Sequence, residues 1–278
     1  MVNFDILRSG SKNISFKLGG MIFLSVIVMA IFAPLIAPYS YDEMHISDIL
    51  KPPSSKYLLG TDQYGRDIFS RIVYGSRIAL KVGILVVIIE TVIGISLGLL
   101  AGYYGGKVDR IISFITDVFW AMPPLVLALA VVTLLGPGLT NVMIAIAVVS
   151  WAQFTRVVRA KTQSLKNMPF VEAGRAIGES DISIMLRYIL PNTMGAIIVL
   201  STLALPSAIL STTAMGFLGL GAQPPTPDWG VMLSEGISYI GTAPWISIFP
   251  GLAIVYTVLG FNLLGEGLRD ILDPRLKV

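Results

Sequence analysis

The apolar residues of this chain fall into six long stretches, separated from one another by polar or charged residues. The stretches cover residues 18–38, 79–105, 111–135, 139–155, 193–220 and 245–266. A helix needs about 20 apolar residues to cross the hydrocarbon of a bilayer. Backbone groups in lipid must satisfy their hydrogen bonds within the segment, so these stretches are predicted to be helices. The predicted fold class is therefore all-α, with six transmembrane helices.

The composition supports an integral membrane protein. The chain has 278 residues, of which 54% are hydrophobic and 13% are charged, and its mean hydropathy is +0.78. A soluble domain carries about 25% charged residues. The sequence contains no cysteine and one histidine, His45. This excludes disulfides and cysteine metal sites, and no metal site and no nucleic-acid partner are expected.

The first apolar stretch has two interpretations, an uncleaved anchor or a cleaved signal peptide. A basic leader precedes it, with Arg8, Lys12 and Lys17, and small residues follow it. However, the apolar run is longer than a signal core, and Pro38 directly follows the best cleavage point, Ala37. The pattern favours an uncleaved anchor.

The basic residues between the stretches are distributed unequally, and this predicts the orientation of the chain in the membrane. Six of the 20 lysines and arginines fall on one side, and they are Lys51, Lys56, Arg66, Arg71, Arg77 and Lys81. The other basic residues fall on the opposite side, together with both termini. Because lysine and arginine are enriched in cytoplasmic loops, both termini are predicted to be cytoplasmic.

Two long polar segments are predicted to lie outside, at residues 39–78 and 221–244. Apolar positions recur about one helical turn apart from Asp67 to Ile78, which predicts an amphipathic helix lying at the membrane interface. Its mixture of arginine and aspartate is typical of a solvated face. In the 221–244 segment, Pro224, Pro225 and Pro227 argue against a regular helix, and Trp229 suits an interfacial aromatic belt. This segment either shapes an entry or forms a stiff cap.

The third polar segment, residues 156–191, is predicted to lie in the cytoplasm. It contains "EAGRAIGESDISIMLRYILPN" at 172–192. Pro169 fits the first turn of a short helix, and Gly178 fits its end. Gly174 and Gly178, four residues apart, predict a small-residue face that lets another backbone approach closely. A self-packed loop is the alternative.

A second helix is predicted after this turn, within the same segment. Ser180 or Asp181 is typical of its cap, and Pro191 is expected to stop it. Several apolar side chains of the two short helices cannot be buried in lipid, because this segment is predicted to lie in the cytoplasm. They are Phe170, Val171, Ile177, Ile182 and Met185. We expect some of them to pack on the bundle and others to fill a groove of a partner protein.

These residues resemble the cytoplasmic loop of ABC importer permeases, in which Glu-Ala-Ala, three residues, Gly and nine residues precede Ile-x-Leu-Pro. The residues that fit this pattern are Glu172, Ala173, Gly178, Leu190 and Pro191. Gly174 stands where the family has its third-position alanine, and Tyr188 stands where it has isoleucine. The resemblance implies that residues 172–175, Gly178 and 190–191 couple the permease to an ATPase. Arg175 is included among them as a charge that sets the docking register.

Further segments narrow the resemblance to the dipeptide, oligopeptide and nickel branch. They are "LLGTDQYGRDIFSRIVYGSRIAL" at 58–80 and "GFLGLGAQPPTPDWGVML" at 216–233. The first stretch and the "DPR" tail at 273–275 are similar to its second, C-type permease subunit. The resemblance implies a type I importer fold with two regions. Residues 1–78 would form an anchor and external interfacial segment, and residues 79–278 a five-helix core that includes the coupling loop 156–191.

The resemblance also implies the partners of the chain. They are a sister permease, two cytoplasmic ATPase subunits, an extracytoplasmic substrate-binding protein and the lipid of a prokaryotic inner membrane. The chain itself carries no phosphate-binding loop, because "GYYGGKVD" at 102–109 lacks the glycine spacing and the Ser/Thr of that motif. We therefore expect no enzymatic activity and no cofactor, with ATP bound by the partner subunits.

Two acidic residues lie within the apolar stretches, and buried charges in lipid are costly and often functional. Asp117 is expected to reach water, Lys107 or Arg110. Glu90 lies nearer the middle of the membrane, where it faces the pathway or bonds to the sister permease. Prolines 123, 124, 206 and 250 are expected to interrupt helices.

The cargo implied by the branch is a dipeptide or oligopeptide, with a nickel chelate as the alternative. An interpretation of a different class is an ATP-independent secondary transporter or channel. Such a protein would carry paired acids at the midplane and inverted repeats. The sequence shows one mid-span acid and no convincing repeat.

Overall fold

The structure is a computed structural model that describes residues 13–272, and the part described is almost entirely helical. Arg8, Lys12 and the 273–275 tail lie outside these residues. In chain order the helices are α1 Ile14–Ile31, α2 Ala33–Ile36, α3 Ile68–Tyr104, α4 Gly106–Ala121, α5 Pro124–Leu135, α6 Leu139–Leu165, α7 Pro169–Ala176, α8 Asp181–Ile184, α9 Leu190–Phe217, α10 Trp229–Ile237 and α11 Trp245–Leu272. A 3₁₀ turn spans Ile46–Asp48, and a π-helical turn spans Met185–Ile189.

Five helical segments are long and apolar enough to cross a bilayer, and they are Ile14–Ile31, Ile68–Tyr104, Leu139–Leu165, Asp181–Phe217 and Trp245–Leu272. The pair α4 and α5 qualifies as a sixth crossing only when taken together, and it is bent by 94°. Met122, between the two helices, is extended, because a residue that precedes proline is pushed out of the helical region. With this bent span, the six predicted crossings are confirmed. Pro206 and Pro250, in contrast, lie inside continuous helices.

Helix α1 packs along α11, the last helix of the described chain. The Asn13 side chain caps α1 by accepting from the Phe16 amide at 3.0 Å, and its own amide donates to Asp270. The rings of Phe23 and Phe261 meet edge to face with their centroids 5.1 Å apart. The first apolar stretch is therefore an integral helix of this bundle.

The prediction of a separate interfacial helix with a solvated face is wrong, because its residues form the first three turns of α3. Asp67 caps α3, and the helix then runs without a break to Tyr104, so residue 78 lies inside one helix. Asp67 and Arg71 are buried. Arg71 donates to the Tyr41 carbonyl at 3.1 Å. The amphipathic pattern is real, but its polar face meets the folded 39–66 segment instead of water.

Helix α3 approaches α6 very closely through a stripe of glycines. A Cβ built at Gly94 would lie 2.2 Å from the Cβ of Phe154, and one built at Gly98 would lie 2.6 Å from the Cβ of Val158. Such distances leave no room for a side chain on α3. The two helices therefore form a close-packed pair.

The 221–244 segment contains a helix that its prolines had argued against. The last of these prolines is Pro227, and Asp228 then caps α10 by accepting from the amides of Gly230 and Val231 at 2.8 and 3.2 Å. Trp229 is buried and donates to the Ile72 carbonyl at 3.1 Å. The prediction that Trp229 lies in an interfacial belt is therefore wrong, since the indole packs against α3.

A candidate coupling site in the 156–191 segment

A short helix, α7, follows directly on the long helix α6, and proline decides where it begins. Met168 is extended, as the residue before a proline prefers to be, and Pro169 occupies the first turn. The missing N–H of proline costs nothing there. The amides of Val171 and Glu172 bond to the Met168 carbonyl at 2.9 and 3.1 Å. The predicted start of the helix is thus the observed one.

Gly178 ends this helix in a Schellman motif. The Gly178 amide bonds to the Arg175 carbonyl at 3.0 Å, and the Glu179 amide bonds to the Gly174 carbonyl at 3.1 Å. Gly178 has a φ of +83°, a left-handed conformation that glycine adopts without penalty. A Cβ built there would meet nothing within 4 Å. Gly178 is therefore required for the turn and not for a close contact within this chain.

Pro191 does not stop the second helix, contrary to the prediction. Ser180 caps it, accepting from the Ser183 amide at 3.3 Å. The backbone then passes through the π-helical turn Met185–Ile189 and continues into α9, where Pro191 lies in the first turn. Proline within a helix clashes with the carbonyl four residues earlier. The wider π-helical turn immediately before Pro191 departs from the regular α-helical hydrogen-bond pattern. The helix can therefore continue past the proline.

One face of this segment is buried against the ends of α3 and α6. Val171, Ile184 and Ile189 are fully buried in a cluster that includes Leu99 and Val158. This satisfies the expectation that part of the apolar residues would pack on the bundle. The cluster fixes the short helix to the long helices over several turns.

A polar contact reinforces this attachment at the end of α3. The Tyr103 hydroxyl donates to the Asp181 carboxylate at 2.7 Å, and the Arg175 guanidinium lies 5.4 Å from the centre of the Tyr103 ring. No sequence pattern indicated Tyr103, because 78 positions separate it from Asp181.

The other face of the segment is exposed and partly apolar. Ile177 and Ile182 are 74% and 64% exposed, and Phe170 is exposed as well. The predicted residues Glu172, Ala173, Arg175, Gly178 and Pro191 are also exposed, and Leu190 is half-buried. An exposed surface with several large apolar side chains is typical of a surface that docks with another protein.

Gly174 is the exception among the predicted coupling residues. It is buried, and a Cβ built on it would lie 3.4 Å from Cζ of Tyr188. Gly174 and Gly178 therefore do not form one exposed small-residue face, as the spacing had suggested. Gly174 packs against a ring of the same chain.

The two acids within the spans differ in their surroundings. Asp117 is exposed and pairs with Arg156 of α6 at 2.6 Å, so its expected partners Lys107 and Arg110 are wrong. Glu90 is buried and lines a cavity of about 460 Å³ between α3, α4, α6 and α9. Phe119 and Gln153 also line this cavity.

Comparison with protein families decides the nature of the chain. The model described as "binding-protein-dependent transport system inner membrane component" matches residues 94–278. A second model, the "N-terminal TM domain of oligopeptide transport permease C", matches residues 5–53. The chain belongs to this permease family. It is a C-type permease of bacterial ABC importers and a multi-pass membrane protein. Membership also decides against an ATP-independent transporter or channel.

Curated relatives align along nearly the whole permease. The dipeptide transport system permease protein DppC of Alkalihalophilus pseudofirmus is 48% identical over 273 residues, which cover 98% of this chain and 90% of that relative. The di/tripeptide transport system permease protein DppC of Pseudomonas aeruginosa is 46% identical, covering 94% and 88%. The glutathione transport system permease protein GsiD of Pectobacterium atrosepticum is 47% identical, covering 93% and 86%.

Solved structures place the permease in the same fold as a known importer. An inward-facing structure of the MetNI methionine ABC transporter matches with a TM-score of 0.57, covering 72% of this chain and 96% of that chain. A second crystal form matches with a TM-score of 0.59. Sequence identity is 20% in both, so this likeness shows the fold alone. The type I importer fold predicted for the permease is confirmed.

Proposed function

We propose that this permease forms, with a sister permease, the pathway of an ATP-driven importer for dipeptides and short oligopeptides. The named cargo of the three relatives supports this, since each of them carries a dipeptide, a di- or tripeptide, or glutathione in its name. Identities of 46–48% over more than nine-tenths of the chain make a shared cargo class the simplest expectation. The names of these relatives give no support to the nickel-chelate alternative.

The exposed apolar face of residues 168–186 is the docking surface for a cytoplasmic ATPase subunit. The observation that carries this assignment is the division of one short segment into two faces. Val171 is fully buried, whereas the neighbouring Phe170 and Ile177 are exposed. A short amphipathic helix that lies in a groove of a partner is an established mode of recognition. Glu172 and Arg175, exposed beside it, set the register and orientation of docking.

Force passes from this surface to the spans through packed contacts. ATP closes the pair of ATPase subunits and moves the groove that holds α7. Because protein interiors are close-packed, the buried cluster around Val171 and Ile184 moves with α7. The Tyr103–Asp181 hydrogen bond carries the displacement to α3, and the glycine-lined contact carries it between α3 and α6.

In this proposal both termini and residues 156–191 are cytoplasmic, while residues 39–66 and 221–244 face outward. An external binding protein delivers the peptide to that outer side. The permease itself binds no ATP, which remains with the two ATPase subunits.

The test is purification and reconstitution of the complete importer. In Phe170→Ser and Ile177→Ser variants, the ATPases should co-purify in reduced amounts, and peptide-stimulated ATP hydrolysis should fall. Ile46→Ser is the matched control, because Ile46 is 80% exposed on the opposite end of the bundle. Unchanged ATPase recovery in both variants would contradict the docking surface. Import of nickel chelates without import of peptides would contradict the cargo.

A further inference from the structure

Glu90 lies well inside the long helix α3 and faces a cavity. It precedes Tyr103, near the end of α3, by thirteen residues, which corresponds to roughly 20 Å along a helix. Its side chain is only 4% exposed and lines the cavity of about 460 Å³. Cavities that bind small molecules occupy about 300–1,000 Å³. The space suits a small ligand, and a dipeptide spans at most about 7 Å.

The Glu90 carboxylate has no basic partner in the described part of the chain. Asp109 pairs with Arg159, and Asp117 pairs with Arg156. No lysine, arginine or histidine is among the described residues that line the cavity of Glu90. A carboxylate removed from water is costly unless a cation or hydrogen bonds compensate it. The structure thus places an acidic side chain that has no basic partner among the described residues against a cavity of ligand size.

The rest of the cavity wall suits a peptide. Four side chains offer hydroxyl or amide groups that pair with peptide N–H and C=O groups, and they are Ser150, Gln153, Ser207 and Ser211. Phe119 and Trp120 present aromatic surface to the same space. Such surface attracts both apolar side chains and cations. Every peptide with a free amino terminus carries an ammonium group near neutral pH.

We propose that Glu90 binds the α-ammonium group of the peptide during its passage through the pathway, an inference that rests on the peptide cargo proposed above. The carboxylate is the partner of the ammonium, and the polar groups of α6 and α9 hold the peptide backbone. Glu90 is therefore a specificity-determining residue that distinguishes free peptides from N-blocked ones. It lies in neither of the two segments matched by the family models.

The experiment reads occupancy of the cavity directly in the purified importer. The sequence has no cysteine, so Ala204→Cys gives this permease a single thiol, on the cavity wall. Alanyl-alanine should slow alkylation of this thiol. N-acetyl-alanyl-alanine, which lacks the ammonium, should need a roughly tenfold higher concentration for the same protection, because a hydrogen bond to a charged group is lost. Equal protection by the two compounds would overturn the proposal.

Two further variants separate recognition from a structural role. In the Ala204→Cys background, Glu90→Gln keeps the shape of the side chain and should abolish the difference between the two compounds. Glu90→Asp keeps the charge and should retain the preference for the free amino group. If the Glu90→Gln variant no longer co-purified with the sister permease, Glu90 would belong to the permease interface, and the proposal would be overturned. Normal alanyl-alanine import without any protection by it would also overturn it. An importer that carries no peptide at all would contradict the proposed function instead.

Discussion

Gly174 lies against the ring of Tyr188, so that a Cβ built on the glycine would be 3.4 Å from Cζ of the ring. Both residues depart from the motif of the family, one towards a smaller side chain and the other towards a larger one. The structure thus places the two residues that differ from the family motif next to each other. A methyl group therefore fits at position 174 beside the ring of Tyr188, and a larger side chain does not.

This contact predicts the outcome of a double-mutant experiment. Gly174→Ala should be tolerated, because 3.4 Å is an ordinary contact and alanine favours helix by up to about 1 kcal/mol. Gly174→Leu should reduce thermal stability of the complex and ATPase recovery, since the side chain meets the ring. Gly174→Leu combined with Tyr188→Ala should restore both. Independent, additive effects of the two changes would contradict the assigned packing.

Gly178 gives a test of docking that is separate from folding. Asparagine and aspartate tolerate a positive φ better than other side chains, and no described atom lies within 4 Å of the added Cβ. Gly178→Asp and Gly178→Asn should therefore both insert and pair with the sister permease. Only Gly178→Asp adds a charge that loses water when an ATPase docks. It should weaken ATPase binding by roughly tenfold or more, as measured by co-purification and binding titration.

Gly178→Asn is the matched control, since it has nearly the same shape and no charge. Equal ATPase binding by both variants would mean that the site does not lie within the docked interface. Glu172→Ala should have a smaller effect, within about 1 kcal/mol, because Glu172 is exposed and contributes an orienting contact at most.

The orientation is testable with single cysteines, because the natural sequence has none. Ser55 and Asn167 are both exposed and lie at opposite ends of the bundle in the proposed orientation. In sealed, right-side-out cells, Ser55→Cys should react with a membrane-impermeant thiol reagent, and Asn167→Cys should react only after permeabilisation. Labelling of Asn167→Cys in intact cells would place the docking segment outside and refute its contact with a cytoplasmic ATPase.

Asp228 links the stability of the outer segment to pH. Burial raises the pKa of the Asp228 carboxyl, although hydrogen bonds from the α10 backbone oppose this. The folded state therefore holds the proton more tightly than the unfolded state. The resulting stabilisation is complete below the unfolded pKa of about 3.9 and is lost as pH rises through the folded pKa.

A pair of Asp228 substitutions separates this charge effect from capping. Asp228→Asn keeps an oxygen that accepts from the Gly230 amide and carries no charge. Its melting temperature, relative to that of the natural protein, should therefore rise with pH. Asp228→Ala should lower stability by about 1 kcal/mol, because the cap of α10 is lost. A pH-independent difference between the natural protein and Asp228→Asn would contradict the raised pKa.

Features that depend on residues adjacent in the chain could be predicted from the sequence alone. Apolar length fixed the spans, because lipid excludes unsatisfied backbone groups. The start of α7 at Pro169 and its end at Gly178 were predictable, because proline and glycine act through their own backbone angles. The break at Met122 follows from the prolines after it for the same reason.

The surface that each helical face meets could not be predicted from the sequence, because it depends on packing between distant segments. The polar face of residues 67–78 has the same periodicity whether it lies against water or against a folded segment, and here Arg71 is buried. Asp117 forms an ion pair with Arg156 on another helix. The spacing of residues along the chain does not indicate this pair. Gly174 faces Tyr188, and Glu90 lines a cavity. Both orientations follow from packing between distant segments, which sets the orientation of each helix. The exposed side of α7 is what this packing leaves uncovered.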